Sequence, residues 1–297
     1  MRRRTALLAG LALAAPGRAA APAVLEVGGS RLVLLLDDTL APGLRAAVPD
    51  WLAAAAQAVA GYFGRFPVPA AEIAVVAAVG PGMRHGRTRP GPPPRLQLAL
   101  APDTDPAWLR DDWIAVHEMV HLAVPRVAIA HNWLHEGIAT YVEGVARARA
   151  GLIAPRRLWI ELAQQLPQGQ PRPGDGGLDD SPTWARTYWG GTLFCLLADV
   201  RLRERGAPAG LQQALQGLLA AGGSYAAAWD IRRVLATADA ATGQTTLGEL
   251  YAQMKDTPVR IDLDALWARL GVDGTRLRED APLAALRRAI TAADAPR

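Results

Sequence analysis

His117-Glu118-Met119-Val120-His121 is the stretch from which the fold of this chain can be predicted, and it lies within the largely apolar run 111–123. If this run is helical, side chains four positions apart lie on one face, so the imidazoles of His117 and His121 can bind one metal ion. Glu118 projects beside them and can take a proton from an attacking water molecule. The apolar residues around the motif indicate a helix buried between two lobes. The spacing therefore predicts a catalytic zinc site.

A catalytic zinc site normally has three protein ligands, so the sequence must supply one more. The metzincin arrangement is excluded, because it would need glycine and histidine where Val124 and Val127 stand. The next helical pattern begins near His131. A second helix, packed antiparallel to the first after a short loop, would bring Glu136 to the metal. By chemistry alone, His131 and His135 compete with Glu136, since imidazole also binds zinc well.

The run Trp133-Leu134-His135-Glu136-Gly137-Ile138-Ala139-Thr140-Tyr141-Val142-Glu143 resembles the third-ligand segment of the gluzincin zinc metallopeptidases, the thermolysin-like enzymes of peptidase clan MA. In that superfamily the glutamate before the glycine binds zinc, which implies this role for Glu136. Thr187-Tyr188-Trp189-Gly190 is similar to the Tyr-x-x-Gly segment of the glycyl-aminopeptidase-like family. That similarity implies that the Tyr188 hydroxyl stabilises the anion formed at the scissile carbonyl. The resemblance covers about residues 75–205 and implies one Zn²⁺ per chain.

Three further residues are candidates for the site. Glu143 lies two turns beyond Glu136 on the same helix face and could accept a hydrogen bond from a ligating histidine; a surface carboxylate is the alternative. His85, within the segment 80–94, could touch substrate, and a solvated loop histidine is the alternative. Arg186 could bind a substrate carboxylate or assist the anion.

The expected fold class is α+β, a thermolysin-like zincin with its active site between a small N-terminal α/β lobe (residues 24–130) and a mainly helical lobe (residues 131–297). In the first lobe, Gly28-Gly29 predicts a hairpin turn, and the metal helix is expected from about 103 to 124. Segment 80–94, rich in glycine and proline, is expected to be a loop, and 95–101 an edge strand that could pair with an extended peptide. The other predicted elements of this lobe are strands 24–27, 31–36 and 72–79 and a helix at 42–62.

The helical lobe is predicted from apolar periodicity beyond residue 184. Segment 167–182, rich in Gly, Pro and Asp, is expected to be a flexible connection before these helices. It could border the cleft, and a surface loop is the favoured alternative. Helices are predicted at 184–206, 208–221, 224–239, 246–254, 263–270 and 282–293.

Composition and the chain start indicate an exported globular protein. The 297 residues carry a net charge of +4, and no basic block is interleaved with aromatic residues, so a nucleic-acid partner has little support. Residues 1–23 have the pattern of a signal peptide: Arg2 to Arg4, an apolar stretch, then small residues. A periplasmic or secreted protein is therefore expected, by the Sec or the twin-arginine route. No later stretch is long enough for a stable membrane span, and Cys195, the only cysteine, is expected to be a buried thiol.

Together these features predict a zinc-dependent metallopeptidase acting on a peptide or protein substrate. Two alternatives stay open: a non-hydrolytic zinc-containing module that binds peptides, and a zinc hydrolase of a non-peptide or cell-wall amide. The chain has no room for the large N-terminal β domain of the aminopeptidase families, and segment 80–88 holds no clear counterpart of their substrate-amine motif. Aminopeptidase and endopeptidase activity are therefore both possible, and the oligomeric state is not predicted.

Overall fold

A hairpin begins the described part of the chain, which comprises residues 23–80, 82–181 and 183–293 of a computed structural model. Strand β1 (Ala23–Val27) pairs antiparallel with β2 (Ser30–Leu36), as predicted. The two turn residues, Gly28 and Gly29, have φ of 55° and 78°, the left-handed conformation that a tight hairpin turn requires and that glycine adopts without strain. The predicted signal, residues 1–23, lies outside the described residues except for Ala23.

Strands β3 (Ala70–Ala77), β4 (Met83–Arg89) and β5 (Arg95–Leu100) join β1 and β2 in a five-stranded sheet, which forms the predicted α/β part. The strand order is β1-β2-β3-β5-β4. Strands β2, β3 and β5 are mutually parallel, whereas β1 and β4 run antiparallel to their neighbours. The edge strands are therefore β1 and β4, so the prediction of an edge strand at 95–101 is wrong, as is the prediction of an irregular loop over 83–89. Helix α1 (Pro42–Phe63) lies between β2 and β3 in the chain.

The predicted metal helix is divided into two pieces. A short 3-10 helix, Pro106–Asp111, precedes α2 (Ile114–His121), because the chain is extended at Asp112. The carboxylate of Asp112 accepts hydrogen bonds from the backbone N–H groups of Ile114 (3.2 Å) and Ala115 (2.9 Å). It thus satisfies donors that the first turn of α2 would leave unpaired. The expectation that α2 is buried is confirmed, since every residue from Ala115 to His121 is buried.

Most of the remaining chain is helical. The predicted helices at 246–254 and 263–270 are found with the same boundaries, whereas the one at 224–239 begins only at Ile231. The preceding segment, 221–230, forms turns and one isolated β-bridge, because it bonds to the chain that follows α2. Tyr225 N–H donates to the Leu122 carbonyl, and Trp229 N–H donates to that of Arg126. The elements are α3 (Asn132–Arg149), α4 (Pro155–Gln165), α5 (Gly191–Glu204), α6 (Leu211–Ala220), α7 (Ile231–Thr242), α8 (Thr246–Met254), α9 (Leu263–Leu270), β6 (Val272–Asp273), β7 (Arg276–Leu277) and α10 (Ala284–Thr291).

The apolar core is continuous from the sheet to the C-terminal helices. Cys195 lies buried within it, as expected. Segment 167–182 includes two short 3-10 helices, Leu166–Gly169 and Leu178–Asp180, and both leucines are buried. No helix within the described ranges combines the length and apolar character that a membrane span needs.

Candidate metal centre

Helices α2 and α3 bring two imidazoles and one carboxylate together. The Oε2 atom of Glu136 lies 3.2 Å from Nε2 of His117 and 3.6 Å from Nε2 of His121. One ligand atom from each of the three side chains lies within 4.8 Å of the other two. The two imidazole rings are nearly perpendicular, at 88°, with centroids 4.7 Å apart. The four-residue spacing on α2 and the first turns of α3 thus converge on one point, as the sequence predicted.

The protonation states at this cluster suit a metal ion. Burial holds the pKa of His121 well below its ordinary value, so the imidazole is neutral and keeps a lone pair. Burial acts to raise the pKa of Glu136, but the hydrogen bond with His117 and the nearby imidazoles outweigh it, and the pKa is lowered. Two imidazoles and a carboxylate are the protein ligand set of many catalytic zinc sites. The three side chains therefore fit the zinc ion that the motif implies.

The two competing histidines lie away from this point. His135 stacks on His121, with ring centroids 4.4 Å apart, and donates a hydrogen bond to the Val124 carbonyl. Burial lowers its pKa to about 4. The ring of His131 instead hydrogen-bonds Asp179, with Nδ1 2.9 Å from Oδ1. Of the three candidates for a third ligand, Glu136 is the one that meets His117 and His121.

Edge strand β4 holds the carboxyl group of Glu118. The hydroxyl of Thr88 lies 2.7 Å from Oε2 of Glu118 and 2.8 Å from its backbone oxygen. A Cβ at Gly86 would lie 2.4 Å from Cγ of Glu118, so only glycine permits the strand to approach this closely. Burial raises the pKa of Glu118, and the Thr88 hydrogen bond opposes this shift. Sequence reasoning missed Thr88, since the glycine and proline around it indicated a loop.

Tyr188 approaches the cluster from a π-helical turn, Arg186–Gly190, and such turns are frequent at functional sites. Its hydroxyl hydrogen-bonds Glu136, and its ring lies parallel to that of His117 with centroids 6.0 Å apart. Burial and the charge of Glu136 raise its pKa, so the phenol keeps its proton at neutral pH and can donate. The indole of Trp184 stacks on the phenol ring at 4.5 Å and hydrogen-bonds the Tyr188 side chain.

A pair of glycines explains why this turn lies so near α3. A Cβ at Gly137 would lie 2.2 Å from the backbone carbonyl carbon of Gly191, and a Cβ at Gly191 would lie 2.0 Å from the Trp133 oxygen. The start of α5 therefore crosses α3 with backbone in contact with backbone. This contact places Tyr188 beside Glu136.

Arg186 and His85 lie apart from the cluster. Arg186 is buried, and its guanidinium donates to the carbonyls of Gly169 (2.5 Å) and Gly176 (3.4 Å). Arg186 therefore stabilises the adjoining loop instead of making the predicted contact with substrate. His85 is exposed on β4, and because strand side chains alternate, it faces away from the side on which Thr88 meets α2.

Glu143 is buried but does not reach a ligating histidine. Its Oε1 accepts a hydrogen bond from Nη1 of Arg147 at 2.5 Å. Among the residues that the structure describes, Nδ1 of His117 and Nδ1 of His121 have no hydrogen-bond partner. The predicted hydrogen bond from a ligating histidine to Glu143 is therefore wrong, and Arg147 is the donor to Glu143 instead.

Comparison with known proteins identifies the fold but gives no relative by sequence. No family model matches the chain, and no curated protein matches it significantly. An aminopeptidase N family protein from Idiomarina loihiensis superposes with a TM-score of 0.61 at 14% identity, over 84% of this chain and 49% of that one. A mutant two-domain M1 zinc metallopeptidase bound to L-arginine gives 0.55 at 16% identity, over 81% and 52%. A mutant M1 zinc metallopeptidase from Deinococcus radiodurans, bound to the substrate Tyr-Ser-Ala, gives 0.53 at 14%, over 81% and 52%.

These likenesses define the class of fold. The chain has the mixed α/β fold, with a small sheet and a mostly helical part, that is found in M1 zinc metallopeptidases, as the gluzincin resemblance predicted. It spans about half the length of each of these solved structures.

Proposed function

We propose that this chain is a zinc-dependent metallopeptidase that hydrolyses peptide bonds. The observation that carries the proposal is the convergence of His117, His121 and Glu136, with Glu118 and Tyr188 held beside them. A zinc ion held by the three ligands would act as a Lewis acid toward water and the scissile carbonyl. The M1 zinc metallopeptidase with Tyr-Ser-Ala bound supports a peptide as the class of substrate.

Two side chains perform the proton transfers and the charge stabilisation in this proposal. Glu118 takes a proton from the attacking water and delivers it to the nitrogen of the leaving amine. Tyr188 donates its O–H to the oxygen that becomes negative, and such a donor contributes about 3 kcal/mol in a preorganised site. Its neighbour Trp184 stacks on the phenol ring and helps to hold it in place.

The position of cleavage within a peptide depends on whether the site binds a free substrate amine. Binding of a free substrate amine is best served by a carboxylate near the site, and segment 80–88 contains neither Asp nor Glu. The proposal therefore stops at peptide-bond hydrolysis, and the ends of the products decide between trimming of termini and internal cleavage. Export guided by residues 1–23 is also part of the proposal, with the periplasm or the exterior as the place of action.

The experiment compares the zinc-loaded protein, residues 24–297, with its Glu118→Gln variant on a diverse peptide mixture read by mass spectrometry. We expect cleavage by the first protein and none by the variant, because glutamine keeps the shape of the side chain and cannot accept the proton. Zinc content, measured by atomic absorption, should be the same in both. Equal cleavage by both proteins would refute the role of Glu118.

A second variant tests the third ligand. Glu136→Ala should lower zinc affinity at least tenfold, since the carboxylate is one of three ligands. Unchanged affinity would point instead to His131 or His135. Normal zinc binding without cleavage of any peptide would favour the two alternatives, a peptide-binding module or a hydrolase of another amide.

A further inference from the structure

Two exposed tryptophans stand at the metal cluster. Trp113 is 43% exposed and meets the ring of His117 edge-on, with centroids 5.5 Å apart at 86°. Trp184 is 61% exposed and stacks on Tyr188, with centroids 4.5 Å apart at 24°. Because the ring of Tyr188 also lies parallel to that of His117, the four rings are linked by successive contacts, with an exposed indole first and last in the series.

Both indoles are supported by neighbouring groups before any substrate arrives. The backbone of Trp113 lies between Asp112, whose carboxylate caps α2, and the first residue of that helix, and its indole contacts the buried ring of His117. Trp184 is held by its stacking on Tyr188 and by the hydrogen bond between their side chains. A rigid aromatic surface loses little conformational entropy when another side chain covers it, so binding there is efficient.

We propose that Trp113 and Trp184 form the two apolar walls of the substrate cleft and select peptides with aromatic or branched aliphatic side chains next to the scissile bond. This inference rests on the proposed function and names the class of its substrate. Trp113 borders the cleft on the His117 side, and Trp184 borders it on the Tyr188 side. Covering either indole with an apolar side chain removes apolar surface of both partners from water, which stabilises the complex.

A preference for acidic peptides is the main competing idea. Edge strand β4 carries His85, Arg87 and Arg89, all exposed. These three residues alternate with Gly86 and Thr88, which face α2, so their side chains point to the other side of the sheet. Their charge is therefore directed away from the cluster, whereas Trp113 contacts the ligand His117 and Trp184 contacts Tyr188 beside the cluster.

The first test measures kcat/KM for matched peptides that carry either Leu or Phe, or instead Ser or Gln, on each side of the cleaved bond. Trp113→Ala and Trp184→Ala should each lower kcat/KM for the apolar peptides about tenfold or more, the effect of about 1.4 kcal/mol of lost binding. In both variants the polar peptides should lose less kcat/KM than the apolar peptides do. Trp108→Ala is the matched control, since Trp108 is 40% exposed and lines a separate hollow beside Gly82.

Phenylalanine variants separate substrate contact from support of Tyr188. Trp184→Phe keeps an apolar ring but loses the indole N–H, so it should retain the preference for apolar peptides even if its kcat falls. Equal losses for apolar and polar peptides in Trp184→Ala and in Trp113→Ala would overturn the proposal, as would a wild-type preference for acidic peptides.

Binding to the Glu118→Gln protein distinguishes failure of this inference from failure of the proposed hydrolysis. Its affinity for the same peptides, with zinc present, is measured by isothermal titration calorimetry. Tighter binding of apolar peptides that is lost in the double variants Glu118→Gln, Trp113→Ala and Glu118→Gln, Trp184→Ala would support the inference even if the wild type cleaves nothing. Equal affinity for apolar and polar peptides would overturn it even if the wild type is a peptidase.

Discussion

At the scale of single residues, Thr88 decides how Glu118 is presented. Its hydroxyl contacts both the carboxyl group and the backbone oxygen of Glu118, and Tyr225 in turn donates to the Thr88 carbonyl at 3.1 Å. Thr88 is thus a positioning residue, which acts through Glu118 and is itself held by the chain after α6. The histidine motif alone could not reveal it, because the contact depends on how strand β4 folds.

Replacing Thr88 should change the pH profile of hydrolysis. Because the hydroxyl lowers the pKa of Glu118, Thr88→Val should raise that pKa. A general base works when deprotonated, so the acid limb of kcat/KM should move to higher pH, and kcat at neutral pH should fall roughly tenfold. Thr88→Ser should restore the wild-type profile. An acid limb at the same pH in both variants would contradict the positioning role.

Glu143 provides a residue-scale prediction on stability. Burial raises the pKa of Glu143 to about 7, although Arg147 opposes the shift. As pH rises from the ordinary glutamate range to 7, the unfolded chain ionises this group while the native protein still holds the proton. The native state therefore loses stability over this window, by an amount on the order of 1–3 kcal/mol. Below the window both states are protonated and the contribution is fully present.

Urea unfolding of wild type and Glu143→Gln at pH 5 and pH 7.5 measures this effect. Glutamine cannot titrate, so the free energy of unfolding of the variant should rise relative to wild type between the two pH values. Glu26→Gln, at an exposed position of strand β1, is the control and should track the wild type. A difference between Glu143→Gln and wild type that does not depend on pH would show that Glu143 carries its charge throughout.

At the scale of elements, the crossing of α3 and α5 depends on glycine. In Gly137→Ala, the new methyl group would overlap the backbone of Gly191, and the turn that carries Tyr188 must move away from Glu136. We expect a loss of about 1–3 kcal/mol in the free energy of unfolding. Turnover should fall further than zinc affinity does, because Tyr188 moves and the two histidines on α2 do not.

Gly61→Ala is the matched control for this crossing. Gly61 lies in helix α1, and a Cβ there would meet no atom within 4 Å. Alanine is the better helix former, so this variant should be neutral or more stable by up to about 1 kcal/mol. Equal behaviour of Gly137→Ala and Gly61→Ala in thermal melts would contradict the close contact between α3 and α5.

The sequence predicted best those elements whose pattern lies entirely within the element itself. Helices α8 and α9 have clear apolar periodicity, and the hairpin has its Gly28-Gly29 turn, so all three were predicted correctly. Strand β4 was missed because its glycine is explained only by a neighbouring helix. Gly86 leaves room for the side chain of Glu118, whereas from sequence alone a glycine among prolines indicates a loop. The late start of α7 has the same cause, since residues 225–229 bond to the chain after α2.

The residues of the candidate site also differ in whether local sequence or long-range contacts determine their positions. His117, Glu118 and His121 could be predicted because they lie within one turn of one helix, and Glu136 because a short loop brings α3 back onto α2. Thr88, Trp113 and Trp184 depend on contacts between distant segments, which periodicity does not encode. The pairing of Glu143 with Arg147 was readable in principle, since the two are four residues apart on one helix.

At the scale of the whole molecule, a zinc ion would join the end of the α/β part to the helical part. His117 and His121 belong to α2, Glu136 belongs to α3, and the apolar core is continuous across both. Metal that binds only the folded chain stabilises it by about 4 kcal/mol when its concentration is 1,000 times the dissociation constant. We therefore expect the zinc-loaded protein to melt several degrees above the chelator-treated protein, and added zinc to restore the lost stability.

The variant His121→Ala, which lacks one of the three ligands, should show a much smaller shift in melting temperature at the same zinc concentration. Equal melting temperatures for the loaded and stripped wild type, measured by calorimetry, would mean that zinc does not bridge these helices, and the assignment of the three ligands would fail with it.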